Sequence, residues 1–360
     1  MIDLTTLLRT VAEKNGSDLH LKVGSPPLMR IDGDLRRMGD KHLTATETME
    51  LAEAIVPDHR RSQFRKQREA DFAYPLAGVG RFRVNVFSQR GSVSMVFRRV
   101  RIGSPSFEEL GLPSIIEEFA DLPRGLVLVT GPTGSGKTTT LAAMVDRINN
   151  IRPVHILTIE DPLEVLHHDR MATINQREVG VDTDDYISAL RSAMRQDPDV
   201  ILVGEMRDTE TVSTALSAGE TGHLVLSTLH TTNAVETINR VVDFYPPSQQ
   251  HQVRVTLASV LRGVISQRLV PRVGGGRVPA LEILVNNGRV ADRILDPNRT
   301  SDIDMVIAQG DFYGMQTFDQ SLLNLVIKGL ATVEDAIKAS TSPHDFALML
   351  EQAGVALPVA

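Results

Sequence analysis

Gly131-Pro132-Thr133-Gly134-Ser135-Gly136-Lys137-Thr138 is the stretch from which the rest of this 360-residue chain can be read. It is a complete G-x-x-x-x-G-K-[ST] phosphate loop. The apolar run Leu126-Val-Leu-Val129 before it reads as a buried strand, and Thr139-Thr-Leu-Ala-Ala-Met-Val-Asp after it opens a helix. In that strand–loop–helix setting the glycines let successive backbone N–H groups curl around a β-phosphate, and the helix N-terminus adds its positive dipole end. Lys137 then reaches the β- and γ-phosphates, and the Thr138 hydroxyl is placed to ligate Mg²⁺. The stretch implies a nucleoside triphosphate as ligand.

Composition bounds the alternatives. The length suggests two domains, and 42% apolar residues suffice for real cores. A net charge of −7 weighs against a general nucleic-acid binder such as a helicase, so no nucleic-acid partner is expected. The chain has no cysteine, which excludes disulfides and thiolate metal sites. Met1-Ile-Asp-Leu-Thr-Thr lacks the pattern of a signal peptide, and no apolar run approaches the roughly 18 residues of a membrane span. A soluble, cytoplasmic protein is the expectation.

Residues 1–100 read as a small mixed domain. Leu4 to Glu13 has helical spacing, and short strands follow at Asp18–Val23 and Leu28–Asp32. Asp71–Tyr74, Gly80–Phe87 and Ser92–Phe97 suggest three antiparallel strands with turns at Gly78 and Gly91. Residues 101–107, with Gly103 and Pro105, form the expected linker. From 108 to 360 strands alternate with helices, the pattern of a mostly parallel α/β sheet, with a helical part from about 300. There Leu322, Leu323, Leu325, Val326 and Ile327 are the expected packing stripe.

Four apolar runs of the α/β region end in residues suited to phosphate chemistry. Leu126–Val129 enters the phosphate loop, Ile156–Ile159 ends in Glu160-Asp-Pro-Leu-Glu164, Val200–Val203 in Gly204-Glu205, and Leu224–Leu229 in His230. Parallel strands put all their carboxyl ends on one edge, where ligands of such sheets bind. Glu205 is the candidate general base, a carboxylate able to orient the water that attacks the γ-phosphate; pairing with nearby Arg207 is its structural alternative. Glu164 either holds Mg²⁺ through water or caps a following helix. His223 and His230 cannot share a metal, because seven residues of strand separate them by about 23 Å. His230 at the carboxyl end is the candidate γ-phosphate sensor; His223 serves a subunit contact or is structural. The pair His167-His168 reads as surface. Arg81, Arg83, Arg98 and Arg99 lie on strands of the first domain, either as a solvated face or as cations that touch nucleotide.

Taken together, these residues resemble the PilT family of type IV pilus retraction ATPases, members of the secretion ATPase superfamily. The resemblance covers nearly the whole chain: Ser17-Asp-Leu-His-Leu21, Arg30-Ile-Asp-Gly-Asp34, Arg81-Phe-Arg-Val-Asn85, the phosphate loop, Leu157-Thr-Ile-Glu-Asp-Pro-Leu-Glu164 as the Asp box, Asp197–Asp208 as the Walker B region, Thr221–His230 as the His box, and Gly314–Asp319. It implies a PAS-like α+β N-terminal domain, a RecA-like P-loop ATPase core and a homohexamer with ATP bound between the two domains. Residues 131 to 139 would hold the nucleotide, Thr138 and Glu164 the Mg²⁺, Glu205 would be the catalytic glutamate with Glu164 and His230 assisting, and Arg81 and Arg98 would reach the nucleotide. The ring would turn an inner-membrane platform protein at the cytoplasmic face, touching the membrane only through partners, and drive pilus retraction.

The chain departs from the family at one place. The family carries an Ala-Ile-Arg-Asn-Leu-Ile-Arg-Glu-like motif after the core, whereas here Arg289-Val-Ala-Asp-Arg-Ile-Leu-Asp-Pro-Asn298 keeps only an outline. That bears on the direction of the motor and not on hydrolysis. The alternatives are a pilus assembly or type II secretion ATPase, disfavoured because those relatives carry Cys-x-x-Cys zinc elements, and a non-catalytic ATP-binding regulatory ring, disfavoured by intact Lys137, Glu164 and Glu205.

Overall fold

Runs that stay apolar at every position, rather than alternating, belong in sheets covered on both faces, whereas alternation marks a sheet with one wet face. The chain uses both patterns. In the computed structural model, which describes residues 3–357, it divides into two units: residues up to Ile102 with Glu164–Leu166, and Gly103–Leu163 with the chain from His167 onward.

In the first unit, α1 (Leu4–Glu13) starts at Asp3, whose carboxylate accepts from the Thr6 N–H, and buries Leu4, Leu8 and Val11 at helical spacing. A six-stranded antiparallel sheet follows, built from β1 (Asp18–Leu21), β2 (Leu28–Ile31), β3 (Asp34–Arg37), β4 (Glu69–Leu76), β5 (Gly80–Gln89) and β6 (Ser92–Arg99) in the order β3-β2-β1-β6-β5-β4. On β5, Phe82, Val84 and Val86 face the core and alternate with Arg81, Arg83 and Asn85. Helices α2 (Ala45–Ile55) and α3 (Asp58–Gln67) connect the two halves of the sheet. A capping box between Thr44 and Glu47 starts α2 and stabilises it by about 1 kcal/mol. The stretch expected as a linker is partly ordered: Arg101–Ile102 form a short strand, β7, and Phe107 opens α4 (Phe107–Leu110) on a Ser106–Glu109 capping box.

In the second unit α5 (Ser114–Asp121) precedes β8 (Gly125–Thr130), the phosphate loop and α6 (Lys137–Ile151). After β9 (His155–Glu160) the chain supplies β10 (Val165–Leu166), which pairs in parallel with β7 in the first unit. Then come β11 (Thr173–Glu178), α7 (Tyr186–Ala193), β12 (Val200–Val203), α8 (Thr209–Glu220), β13 (Leu224–Leu229), α9 (Ala234–Asp243), α10 (Pro247–Val260) and the hairpin β14 (Leu261–Pro271) and β15 (Arg277–Val285). The sheet order is β11-β9-β12-β13-β8-β14-β15, parallel except for β15. This is the expected α/β class. Successive residues go to opposite faces: Leu126 and Leu128 pack with α7 to α10, Val127 and Val129 with α5 and α6. The four strands read from sequence are all here.

α11 (Gly288–Leu295), α12 (Ile303–Ala308), α13 (Phe318–Ile327), α14 (Val333–Ala339) and α15 (Pro343–Gln352) complete the unit. Of the expected stripe, Leu322 and Leu325 are buried and Leu323 and Val326 partly so, but Ile327 is exposed. Five helical residues beyond Leu322 is about 500°, which turns Ile327 to the other side.

Candidate functional site

The phosphate loop is shaped by what cannot fit in it. Gly131, Gly134 and Gly136 all have positive φ, and Gly136, at φ 93°, is the N-cap of α6 and gives that helix no side-chain cap. A Cβ on Gly131 would land on the Gln267 carbonyl oxygen, and one on Gly136 would lie 2.7 Å from Gln267 Nε2. Gln267 is fixed in turn: its Oε1 accepts from the Thr140 hydroxyl at 2.8 Å. Among the described residues, buried Ser135 Oγ finds no hydrogen-bond partner. Lys137 Nζ donates to the carbonyls of Gly131 at 2.7 Å and Pro132 at 3.2 Å, so the ammonium lies over the loop. Open helix N–H groups, an orphan hydroxyl and a poised cation make a cradle that fits phosphate. Pro132, Thr133 and Gly134 are exposed, while Thr138 and Thr139 in the first turn of α6 are half-buried.

Glu205 follows β12 on a fixed pedestal. Thr228 Oγ1, on neighbouring β13, donates to Gly204 O at 2.6 Å, and the Met206 N–H donates to Thr228 O at 3.2 Å. The carboxylate, 17% exposed, meets His230 Nε2 at 3.1 Å through Oε1 and Arg207 at 2.7 Å through Oε2. Thus the Arg207 pairing weighed as the structural alternative is present, and Glu205 is held together with His230 as well. Parallel register places both at the carboxyl ends of adjacent strands, with Glu160 at the end of β9 beyond them. Burial pushes the Tyr186 hydroxyl well above its ordinary value, with Asp161 acting the same way, so it stays neutral beside this edge.

The first unit carries the remaining candidates. Arg98 Nε donates to Asp18 Oδ1 at 2.8 Å; the guanidinium side chain is 72% exposed and the carboxylate 4%. Burial pushes the Asp18 carboxyl up, but hydrogen bonds from Arg98 and Ser17 outweigh it and hold it below the ordinary range. Arg81 is half-buried on β5, where Arg83 stands opposite Arg98. Glu164 is exposed and precedes a strand, β10, so the helix-capping reading fails for want of a helix. The surface reading of His167 fails too. Its side chain is 4% exposed and Nδ1 meets Asp146 Oδ1 at 2.7 Å, while His168 is exposed as expected.

Residues 3–282 match the family model described as "Type II/IV secretion system protein". The chain is 47% identical over 345 residues to the type IV pilus retraction ATPase PilT of Pseudomonas aeruginosa, covering 96% of this chain and all of that one. The chain belongs to the PilT family. It is 46% identical to a twitching motility protein of Neisseria gonorrhoeae, over 92% of this chain and 89% of the other. A crystal structure of the pilus retraction motor PilT with bound ADP superposes with a TM-score of 0.88 at 44% identity, covering 96% of this chain and 99% of that one.

For a PilT-family chain the sequence reading named the strand ends but missed the residues that shape them. Gln267 and Ser266 sit mid-strand on β14 with nothing in their spacing to mark them. Glu282, in the run Ala280-Leu-Glu-Ile-Leu-Val285, did carry a signal: an acid inside an otherwise apolar stretch. Most of the departing segment 289–298 lies in α11, which buries Val290 and Ile294 and exposes Arg289 and Asp292, and Asp296 caps the helix at its C-terminal end.

Proposed function

We propose that this chain is an ATP-hydrolysing motor that powers retraction and disassembly of type IV pili, and so twitching motility. The observation that carries the reading is the shared carboxyl edge of the second unit's sheet, where the phosphate cradle, Glu205 and His230 stand on β8, β12 and β13. Likeness to the PilT relatives along nearly the whole chain supports it.

In this mechanism the loop N–H groups of residues 131–139 and the α6 N-terminus bind the β- and γ-phosphates, and Lys137 leaves the Gly131 and Pro132 carbonyls for phosphate oxygens. Glu205, freed on one oxygen, accepts the proton of the attacking water; the water oxygen bonds to the γ-phosphorus, and ADP departs with the cleaved bond's electrons. His230 hydrogen-bonds the γ-phosphate and reports its loss to Glu205 through their contact. Mg²⁺ would be held by the Thr138 hydroxyl and, through water, by Glu164, with phosphate oxygens completing its shell; bound there it neutralises charge on the phosphates. Arg81 and Arg98 belong to the same proposal as nucleotide-facing cations. The working assembly is a homohexamer at the cytoplasmic face of the inner membrane, acting on a platform protein and touching the membrane only through it. Among the described residues no helix is long and apolar enough to cross a membrane.

The test is a count of surface pili in the native host carrying Glu205→Gln at the chromosomal locus. Excess pili that never shorten are expected. Bald cells would mean the motor drives assembly and would overturn the retraction reading.

A further inference from the structure

We propose that Glu282 is a positioning residue that ties the strand running into the phosphate loop to the turn that carries His230. Three hydrogen bonds make the tie. Glu282 Oε1 accepts from the Ala234 N–H at 2.7 Å, and Ala234 opens α9 four residues after His230. The same oxygen accepts from Ser266 Oγ at 3.4 Å, across the β14–β15 pair in which Ser266 stands opposite Glu282. Ser266 Oγ accepts from Thr130 Oγ1 at 3.1 Å, and Thr130 immediately precedes Gly131. Thr130 and Ser266 are fully buried and Glu282 is 7% exposed, so water does not compete for the line. A bond of 2.7 Å between the hydroxyls of Thr231 and Thr237 closes the turn on its other side.

The carboxyl is costly where it stands. Burial pushes it up to about 7, Asp304 on α12 pushes the same way, and the Ala234 N–H, Arg268 on β14 and the Ser266 hydroxyl pull it down. An amide would accept the same two bonds, more weakly but without that cost, so folding alone does not call for an acid. Ionised, Glu282 is the stronger acceptor and holds Ala234 and Ser266 together; protonated, it loosens the line. Slack at Ala234 passes to His230 and thence to Glu205, 3.1 Å from it. The phosphate cradle keeps its glycines, Lys137 and helix terminus, so nucleotide affinity is untouched.

The inference rests on the hydrolysis reading. Its test compares the purified full chain with Glu282→Ala, Glu282→Gln and Asp304→Asn, measuring MgATP turnover against pH and, without nucleotide, hydrogen exchange at the Ala234 amide. Glu282→Ala is expected to lower kcat about 10-fold or more with KM nearly unchanged, and to speed exchange at Ala234. Glu282→Gln, neutral at every pH, is expected to run above Glu282→Ala but to stay at the lowered kcat that the unmodified chain is expected to reach only as pH drops through about 7, and so to show no step there. Asp304→Asn moves that fall to lower pH, because Asp304 raises the carboxyl. Full kcat in Glu282→Ala, or the same pH step persisting in Glu282→Gln, overturns the proposal. If Glu282→Ala does not fold, the Glu282→Gln profile decides by itself. No turnover by the unmodified chain overturns the hydrolysis reading instead, whereas full turnover by Glu282→Ala overturns this inference alone.

Discussion

At the carboxyl edge of the second unit, Glu205 is fixed by Thr228 beneath it and by His230 and Arg207 on its two oxygens. In the first unit, Arg98 reaches out of the sheet at 72% exposure and is tied to one buried partner, Asp18. In the second unit the sheet topology itself gathers the candidate groups, since parallel neighbours end side by side and Glu205 is braced from the next strand. In the first, the strand decides only which face an arginine takes, and the ion pair it makes serves the fold. The two buried carboxyls repeat the contrast with opposite sign. Asp18 is held below the ordinary range by its hydrogen bonds, whereas burial holds Glu282 up to about 7.

The largest expected effect breaks the braced edge. Glu205→Gln, measured by steady-state phosphate release, is expected to lose turnover by about 10²–10⁴-fold while fluorescent-nucleotide binding persists. Binding lost in parallel with turnover would mean Glu205 holds nucleotide rather than activating water. Next comes Glu282→Gln as a stability variant. A carboxyl raised from the ordinary value costs the folded state nothing below about pH 4 and a growing amount as pH rises toward 7. The substitution is therefore expected to stabilise the second unit by roughly 2–3 kcal/mol at pH 8 and by little at pH 4, in denaturant melts at the two pH values.

A smaller effect sharpens the other side of the comparison. Arg98→Ala removes the closest cation from buried Asp18 and leaves Arg30 at 3.7 Å, so about 1–3 kcal/mol of the first unit's stability is expected to go. The Asp18 contribution is present above about pH 4 and is lost as pH falls through its lowered folded value; acid melts of Arg98→Ala against the parent check this. An Arg98→Ala chain that keeps full stability but loses turnover would give Arg98 a purely nucleotide-facing role. The smallest effect is at Gly136→Ala. The strained φ and the 2.7 Å approach to the flexible Gln267 amide end cost the fold about 1–2 kcal/mol, read in melts without nucleotide.

How much of this was legible follows from the kind of signal each part sends. β8, β9, β12 and β13 are buried on both faces, so their unbroken apolar runs showed them, and the residues after each run are the candidates that the structure brings to one edge. β14 hid because Arg262, Ser266, Gln267 and Arg268 interrupt it; those polar groups are satisfied by partners far away in sequence, such as Thr140 and Thr130. His167 was misread for the same reason: its partner Asp146 lies on α6, 21 residues earlier in the chain. Periodicity reports local exposure and is blind to a hydrogen bond closed by the fold.

The measurement that bears most directly on the central claim is ATP turnover by the purified chain beside Lys137→Ala and Glu205→Gln, with nucleotide binding measured on all three. The expected result is turnover by the unmodified chain, its loss in both variants, and binding retained in Glu205→Gln but weakened in Lys137→Ala. Turnover no greater than that of the Lys137→Ala variant would contradict the account and leave a chain that binds ATP without hydrolysing it.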